Sequence, residues 1–123
     1  MVPPARWRML SGSVAAITGG TTGIGRAIAI EYLRQGCNVA INHLGLPRDE
    51  KHRDSLFEEA AALKAEKVEG ETQSKAGDLL EVVGDVTKSE TGTILVEKAV
   101  EKWGKLDVFV ANAGVFQPAD FLT

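Results

Sequence analysis

The sequence predicts an α/β fold: a parallel, doubly wound sheet in the order 3-2-1-4, truncated after its fourth strand. Three observations predict it. Short apolar runs alternate with longer stretches of helical period, the mark of repeated βαβ units with right-handed crossovers. The first run empties into a glycine-rich turn, Thr18 to Gly25, that opens directly into a helix. The runs also end at Gly19, His43, Asp85 and Asn112, and in such a sheet those exits share one edge, where ligands bind.

Composition narrows the class. A chain of 123 residues is one domain or part of one. With 44% apolar and 25% charged residues it falls among soluble globular chains. A net charge of −3 leaves no electrostatic footprint for nucleic acid. No apolar run approaches the roughly 18 residues that would span a bilayer. Arg6 and Arg8 precede no apolar segment of the secretory kind, and the single Cys37 allows no internal disulfide. The cytoplasm is the expected location.

Residues 1–13 are expected to be a flexible leader, with Pro3 and Pro4 blocking regular structure; residues 14–123 form the domain. Val14 to Thr18 is the first strand, apolar on both faces as a strand covered by helices on two sides must be. A helix from Gly23 to Gln35 follows, with Gly36 placed to end it. Cys37 precedes the second strand, Asn38 to Asn42, and is read as a small core hydrophobe or, alternatively, a reactive thiol. A helix from Asp49 to Lys67 carries a stripe of Leu56, Phe57, Ala60, Ala61 and Leu63 for burial. Val68 to Gly77 has the composition of a long surface loop, and Leu79 to Val83 is the third strand. Thr87 and Glu90 have the spacing of a capping box for a helix whose Leu95, Val96, Ala99, Val100 and Trp103 form one buried face. Gly104 stops that helix, and Leu106 to Ala111 is the fourth strand.

The glycine turn carries the first chemistry. Gly19 lets the backbone leave the strand through dihedrals a Cβ opposes, Gly23 clears space for a phosphate, and Gly25 lets the helix pack closely. The first N–H groups of the helix lack intrahelical partners and sit at the positive end of its dipole, so they favour a pyrophosphate. The candidate cradle is Gly19, Thr21, Thr22, Gly23, Ile24 and Gly25; the alternative is a plain tight turn. There is no Gly-Lys-Ser/Thr ending, which argues against a triphosphate P-loop. After the second strand, where an acid would bind a ribose 2′-hydroxyl, the residues are Asn42, His43, Leu44 and Gly45. The device that excludes NADP is therefore missing, and His43 or Arg48 could meet a 2′-phosphate. The alternative for His43 is a solvated loop residue.

Thr18-Gly19 through Gly23-Ile24-Gly25, Asp85-Val86, and Ala111-Asn112-Ala113-Gly114 together resemble the short-chain dehydrogenase/reductase family, over about Leu10 to Val115. That resemblance implies a Rossmann-like fold and NAD(P)(H) as cofactor. It implies pyrophosphate contacts from the Gly19 to Gly25 turn, adenine contacts from Asp85 and Val86, and a position beside the cofactor ribose for Asn112, Ala113 and Gly114. The bare chemistry is compatible: a carboxylate at 85 can accept from the adenine amino group, or can instead cap the next helix. An Asn at 112 can satisfy two backbone groups at a strand crossing. Ala111 stands where the family usually has Asn. Within the family, residues 42–45, 90–92 and 108–110 are most similar to sugar 1-dehydrogenases of the fungal L-rhamnose type.

The family's catalytic Ser, Tyr-x-x-x-Lys pair and catalytic Asn belong beyond Thr123, so no catalytic residue is assigned. Tyr32 is the only tyrosine, and Gly36 stands where the Lys would be. Ending the sheet at its fourth strand predicts an exposed apolar patch and a weakly stable or aggregating chain. The leading reading is the NADP-binding half (NAD possible) of an oxidoreductase whose complete form moves a hydride between nicotinamide and an alcohol or sugar. The complete family fold is expected to be a homo-oligomer; no metal, nucleic acid or membrane is expected as partner. The alternatives are a non-catalytic short product that binds nucleotide or a partner subunit, and a methyltransferase, disfavoured because His43 replaces the acid that such sites use.

Overall fold

A computed structural model describes residues 9–66 and 76–112. The alternation appears as β1 (Val14–Thr18), α1 (Gly23–Arg34), β2 (Asn38–His43), α2 (Pro47–Ala65), β3 (Leu79–Val83), α3 (Ser89–Trp103) and β4 (Val108–Val110). All strand pairs are parallel and the order is β3-β2-β1-β4. The expected order is met. Residues 1–8, including Trp7 of the expected leader, lie outside the described residues, as do residues 67–75 of the expected loop and Ala113 and Gly114. At the end of the expected leader, the Leu10 N–H donates to Gln35 O at 2.9 Å and the Leu10 side chain packs on the core.

Why the strands are apolar on both faces is plain in the packing. Ala15, Ile17, Val39 and Ile41 point to the layer of α1 and α2, where Leu33 and Leu56 meet them with no exposure. Val14, Ala16, Ala40 and Val82 point the other way, to Leu95 and Ala99 of α3. Each such Leu or Ile contributes about 1.5–3 kcal/mol by leaving water. Cys37 belongs to the first layer, 1% exposed, and burial followed by the charge of Asp107 pushes its thiol up to about 11. At neutral pH it is a thiol in a core, as the first of its two readings has it.

Several local expectations are corrected. Thr87 does not cap α3: the helix begins one residue later behind Lys88, without a side-chain cap bond, while Thr87 N and Oγ1 both donate to the Asp85 carboxylate at 2.8 and 2.7 Å. Both bonds turn Thr87 toward the carboxylate two residues upstream, as a local side-chain turn before the helix and not as its cap. Ala61 and Val100 are exposed, because α2 and α3 press only a narrow stripe, centred on Leu56–Ala60 and Leu95–Ala99, against the sheet. Ala76 and Gly77 are buried rather than in a surface loop. Gly77 N donates to Leu33 O at 2.9 Å, and a Cβ there would lie 1.8 Å from Cys37 O. The chain runs hard against the α1–β2 connection as it enters β3, and only a bare backbone fits there. β4 is shorter than expected, Val108–Val110, and α2 starts earlier, with Pro47 in its first turn. Phe109 faces the α3 layer yet stays 45% exposed, beside a shallow groove formed with Thr93 and Val96.

Candidate functional site

At the C-terminal ends of all four strands lies a crevice of about 510 Å3. Its floor is the turn after β1, its walls are Asn42–Leu44 with Arg48 and Asp49 on one side, and Asp85–Thr87 with Asn112 on the other. The topology brings together residues 19, 21–24, 43, 44, 85, 86 and 112, all predicted as site residues.

The turn is shaped for an anion. Gly19 and Gly23 hold φ of 66° and 58°, a left-handed backbone that other residues adopt at a cost. A Cβ on Gly23 would meet nothing within 4 Å, so that position faces the open crevice. A Cβ on Gly25 would sit 2.3 Å from Gly19 O and 2.5 Å from Asn112 Nδ2, so glycine there brings helix, turn and β4 exit into contact. Thr22, the N-cap of α1, makes no side-chain cap bond, and the first turn contains no acidic residue. The N-terminal amides of α1 are therefore left to an external acceptor, which fits a pyrophosphate. Ile24 stands 73% exposed beside them.

Asn112 behaves as a brace. Its N–H donates to Thr18 Oγ1 at 2.9 Å, and its Nδ2 donates to Gly19 O at 3.2 Å, tying β4's exit to β1's. Asp85 accepts the two Thr87 bonds through Oδ1; these, with Lys88 nearby, hold its carboxyl below the usual carboxylate range. The charge that a base amino group would meet is thus present at neutral pH.

His43 meets neither of its two readings in full. It is 8% exposed, with Nε2 donating to Glu81 Oε2 at 2.8 Å and Nδ1 accepting the Gly45 N–H at 3.0 Å. Both ring nitrogens are occupied, so the ring is a wall of the crevice and not a free cation for a phosphate. Arg48, exposed at the same wall, makes no ion pair among the described residues.

The chain is similar to known proteins in sequence and in fold. The family model for short chain dehydrogenase fits residues 13–123. The chain belongs to the short-chain dehydrogenase family. An L-rhamnose-1-dehydrogenase of Scheffersomyces stipitis is 47% identical over 114 residues, covering 93% of this chain and 40% of that protein. An L-rhamnose 1-dehydrogenase (NAD(P)(+)) of Sphingomonas sp. is 36% identical over 108 residues, covering 88% of this chain and 37% of its own length. Among solved structures, a short chain dehydrogenase from Mycobacterium smegmatis superposes with a TM-score of 0.66 at 35% identity, over 88% of this chain and 39% of that one. The chain thus spans about 40% of the length of these short-chain dehydrogenases. No helix among the described residues is long and apolar enough to cross a membrane.

Sequence reasoning missed four supports of this short-chain dehydrogenase crevice. Arg26 folds over the turn, donating to Thr21 O at 3.3 Å, His52 O at 3.0 Å, Ser55 Oγ at 2.9 Å and Glu59 Oε1 at 3.0 Å. It locks the cradle to α2. Gly20 passes so close to β2 that a Cβ would lie 2.5 Å from Ile41 Cγ2. Asn42 is 1% exposed and donates to Val82 O and Gly84 O, holding the β3 exit at the crevice. Glu81 anchors His43 and is itself gripped by Arg53, whose hydrogen bonds chiefly lower its carboxyl's pKa. Only Asn42 carried a signal, a polar residue inside an apolar strand.

Proposed function

We propose that this crevice binds a nicotinamide dinucleotide, with NADP favoured over NAD, and that the chain is the cofactor-binding half of a sugar or alcohol oxidoreductase. One observation carries the proposal: the uncapped, acid-free N-terminus of α1 opens between positive-φ glycines onto the crevice. There the amides of Gly23 to Gly25 receive the pyrophosphate. Asp85 and Val86 line the adenine end, Leu44 and Arg48 the ribose end, and Asn112, with Ala113 and Gly114 following it in sequence, the nicotinamide ribose. The preference for NADP rests on the absence of an acid at residues 42–45 and on Arg48 beside them.

A nicotinamide held there supplies hydride donation or acceptance. What this chain's residues do is bind and orient: Arg26 holds the turn, Asn112 ties β1 to β4, and Ile24 gives the crevice an apolar face. Proton transfer is assigned to none of them; Tyr32 packs against the core layer between the sheet and helices α1 and α2. The names of the matching relatives support an aldose such as L-rhamnose as the substrate of the whole protein.

Calorimetric titration with NADPH, NADH and S-adenosylmethionine tests the proposal. The expected result is binding of NADPH first, NADH weaker, and no heat from the third. Arg48→Ala should weaken NADPH by about tenfold, the scale of one lost charge-assisted contact, while leaving NADH within about twofold. Preferential binding of S-adenosylmethionine would overturn the family-based reading.

A further inference from the structure

Where an acid would read a ribose hydroxyl, this chain has a buried histidine with a defined job in each ring nitrogen. Nδ1 accepts the Gly45 N–H at 3.0 Å, so the ring is the neutral Nε2–H tautomer, and that proton goes to Glu81 Oε2 at 2.8 Å. Glu81 is fixed in turn by Arg53, with Nε 3.0 Å and Nη2 2.8 Å from its oxygens, and the Arg53 guanidinium lies over the Phe57 ring at 4.2 Å. β2, β3 and α2 are thereby tied at the Glu81 carboxylate, with one end of the His43 imidazole on it.

The other end of that imidazole controls the connection from β2 to α2. Gly45 has φ of +75°, and a Cβ there would lie 2.5 Å from Val83 Cγ1, so the turn is both left-handed and tight against β3. Its N–H is held by the His43 ring alone among the described residues. Leu44 and Arg48, on either side of this turn, line the crevice. Resting on the dinucleotide reading above, we infer that His43 is a positioning residue: through Gly45 it sets the 44–48 wall and so the choice between a 2′-phosphate and a 2′-hydroxyl. The selector is then a polar clamp beneath the wall as well as a charge on it.

The test separates the two nitrogens. In His43→Asn the amide oxygen replaces Nδ1 as acceptor for Gly45, whereas His43→Gln places its amide nitrogen near Nε2, keeping Glu81 and releasing Gly45. We expect His43→Asn to keep the NADPH-to-NADH ratio of affinities within about twofold and His43→Gln to lower it about tenfold, by calorimetry. Exchange of the Gly45 amide should quicken in His43→Gln and stay slow in His43→Asn. Equal ratios and equal Gly45 exchange in both variants would overturn the inference. Because both replace a buried group, the wild-type chain supplies an independent check: a two-bond 1H–15N spectrum should show His43 protonated at Nε2 and bare at Nδ1. A proton on Nδ1 would overturn the inference outright. If the wild-type chain binds neither dinucleotide, the cofactor reading and the 2′ choice fall together, and the Gly45 amide still decides whether His43 sets the wall.

Discussion

α1 and α2 both begin at the crevice, and they begin in opposite ways. α2 starts with Pro47 and has Asp49 and Glu50 in its first turn, with the Asp49 carboxylate accepting the Leu46 N–H at 3.0 Å. Its free amides and its dipole are answered from within. α1 has no acid in its first turn, and the side chain of its N-cap, Thr22, makes no bond to the helix amides. Glycines at 23 and 25 replace the residues that would shield it. Two helices of one fold thus treat the same electrostatic problem differently, one for stability and one for an outside anion. The unsatisfied end is the functional one.

The largest effect expected from disturbing this contrast is at Gly25. A methyl there meets Gly19 O and Asn112 Nδ2, both too close to remain in place. Gly25→Ala should cost about 2–3 kcal/mol in urea unfolding and weaken dinucleotide binding by roughly 100-fold. Unchanged binding would mean that the helix need not approach the turn.

Next in size is Thr22→Asp, which gives α1 the answer α2 already has. A carboxylate at this N-cap should raise stability by about 1 kcal/mol and weaken NADPH about tenfold through repulsion of its phosphates. Stability and binding should move in opposite directions; a variant that gains both would refute the contrast. The mirror experiment is Asp49→Ala. It should lose about 1 kcal/mol, while NADPH binding tightens by about twofold or less because a negative charge leaves the crevice wall.

The smallest effect is the response to acid. Arg53 chiefly lowers the carboxyl of Glu81, and the Val14 N–H chiefly lowers that of Asp107. Both are more acidic folded than unfolded, so their stabilisation is complete above the ordinary carboxylate range, about pH 4, and is lost as pH falls towards their folded values. Urea midpoints should hold from neutral pH to about pH 5 and then drop. Glu81→Gln should make that drop shallower; an identical drop would remove Glu81 from the account.

How far the sequence carries this picture depends on the kind of feature. β1 and β3 were legible to the residue, because apolar runs bounded by Ser13, Gly19, Asp78 and Gly84 admit little else. The glycine turn was legible because its spacing expresses a backbone requirement, now visible as left-handed Gly19 and Gly23. What escaped was set by tertiary competition. Thr87 has the spacing of a cap, yet it is bonded into a turn with Asp85 and the helix starts behind Lys88; Gly77 has the company of loop residues, yet Cys37 O leaves it no room. His43 could be placed at the crevice but not given its role, since Glu81 and Arg53 arrive from elements 38 and 10 residues away. Arg26 looks like an ordinary exposed helix residue until α2 lies beside it.

The central claim is that the bare N-terminus of α1 is the phosphate site. The most direct measurement is an amide 1H–15N titration of the wild-type chain with NADPH. The account predicts that the Gly23, Ile24 and Gly25 amides move first and furthest, with smaller shifts at Asp85 and Val86. Saturable shifts that leave residues 23–25 unmoved, or the largest shifts at the N-terminus of α2, would contradict it.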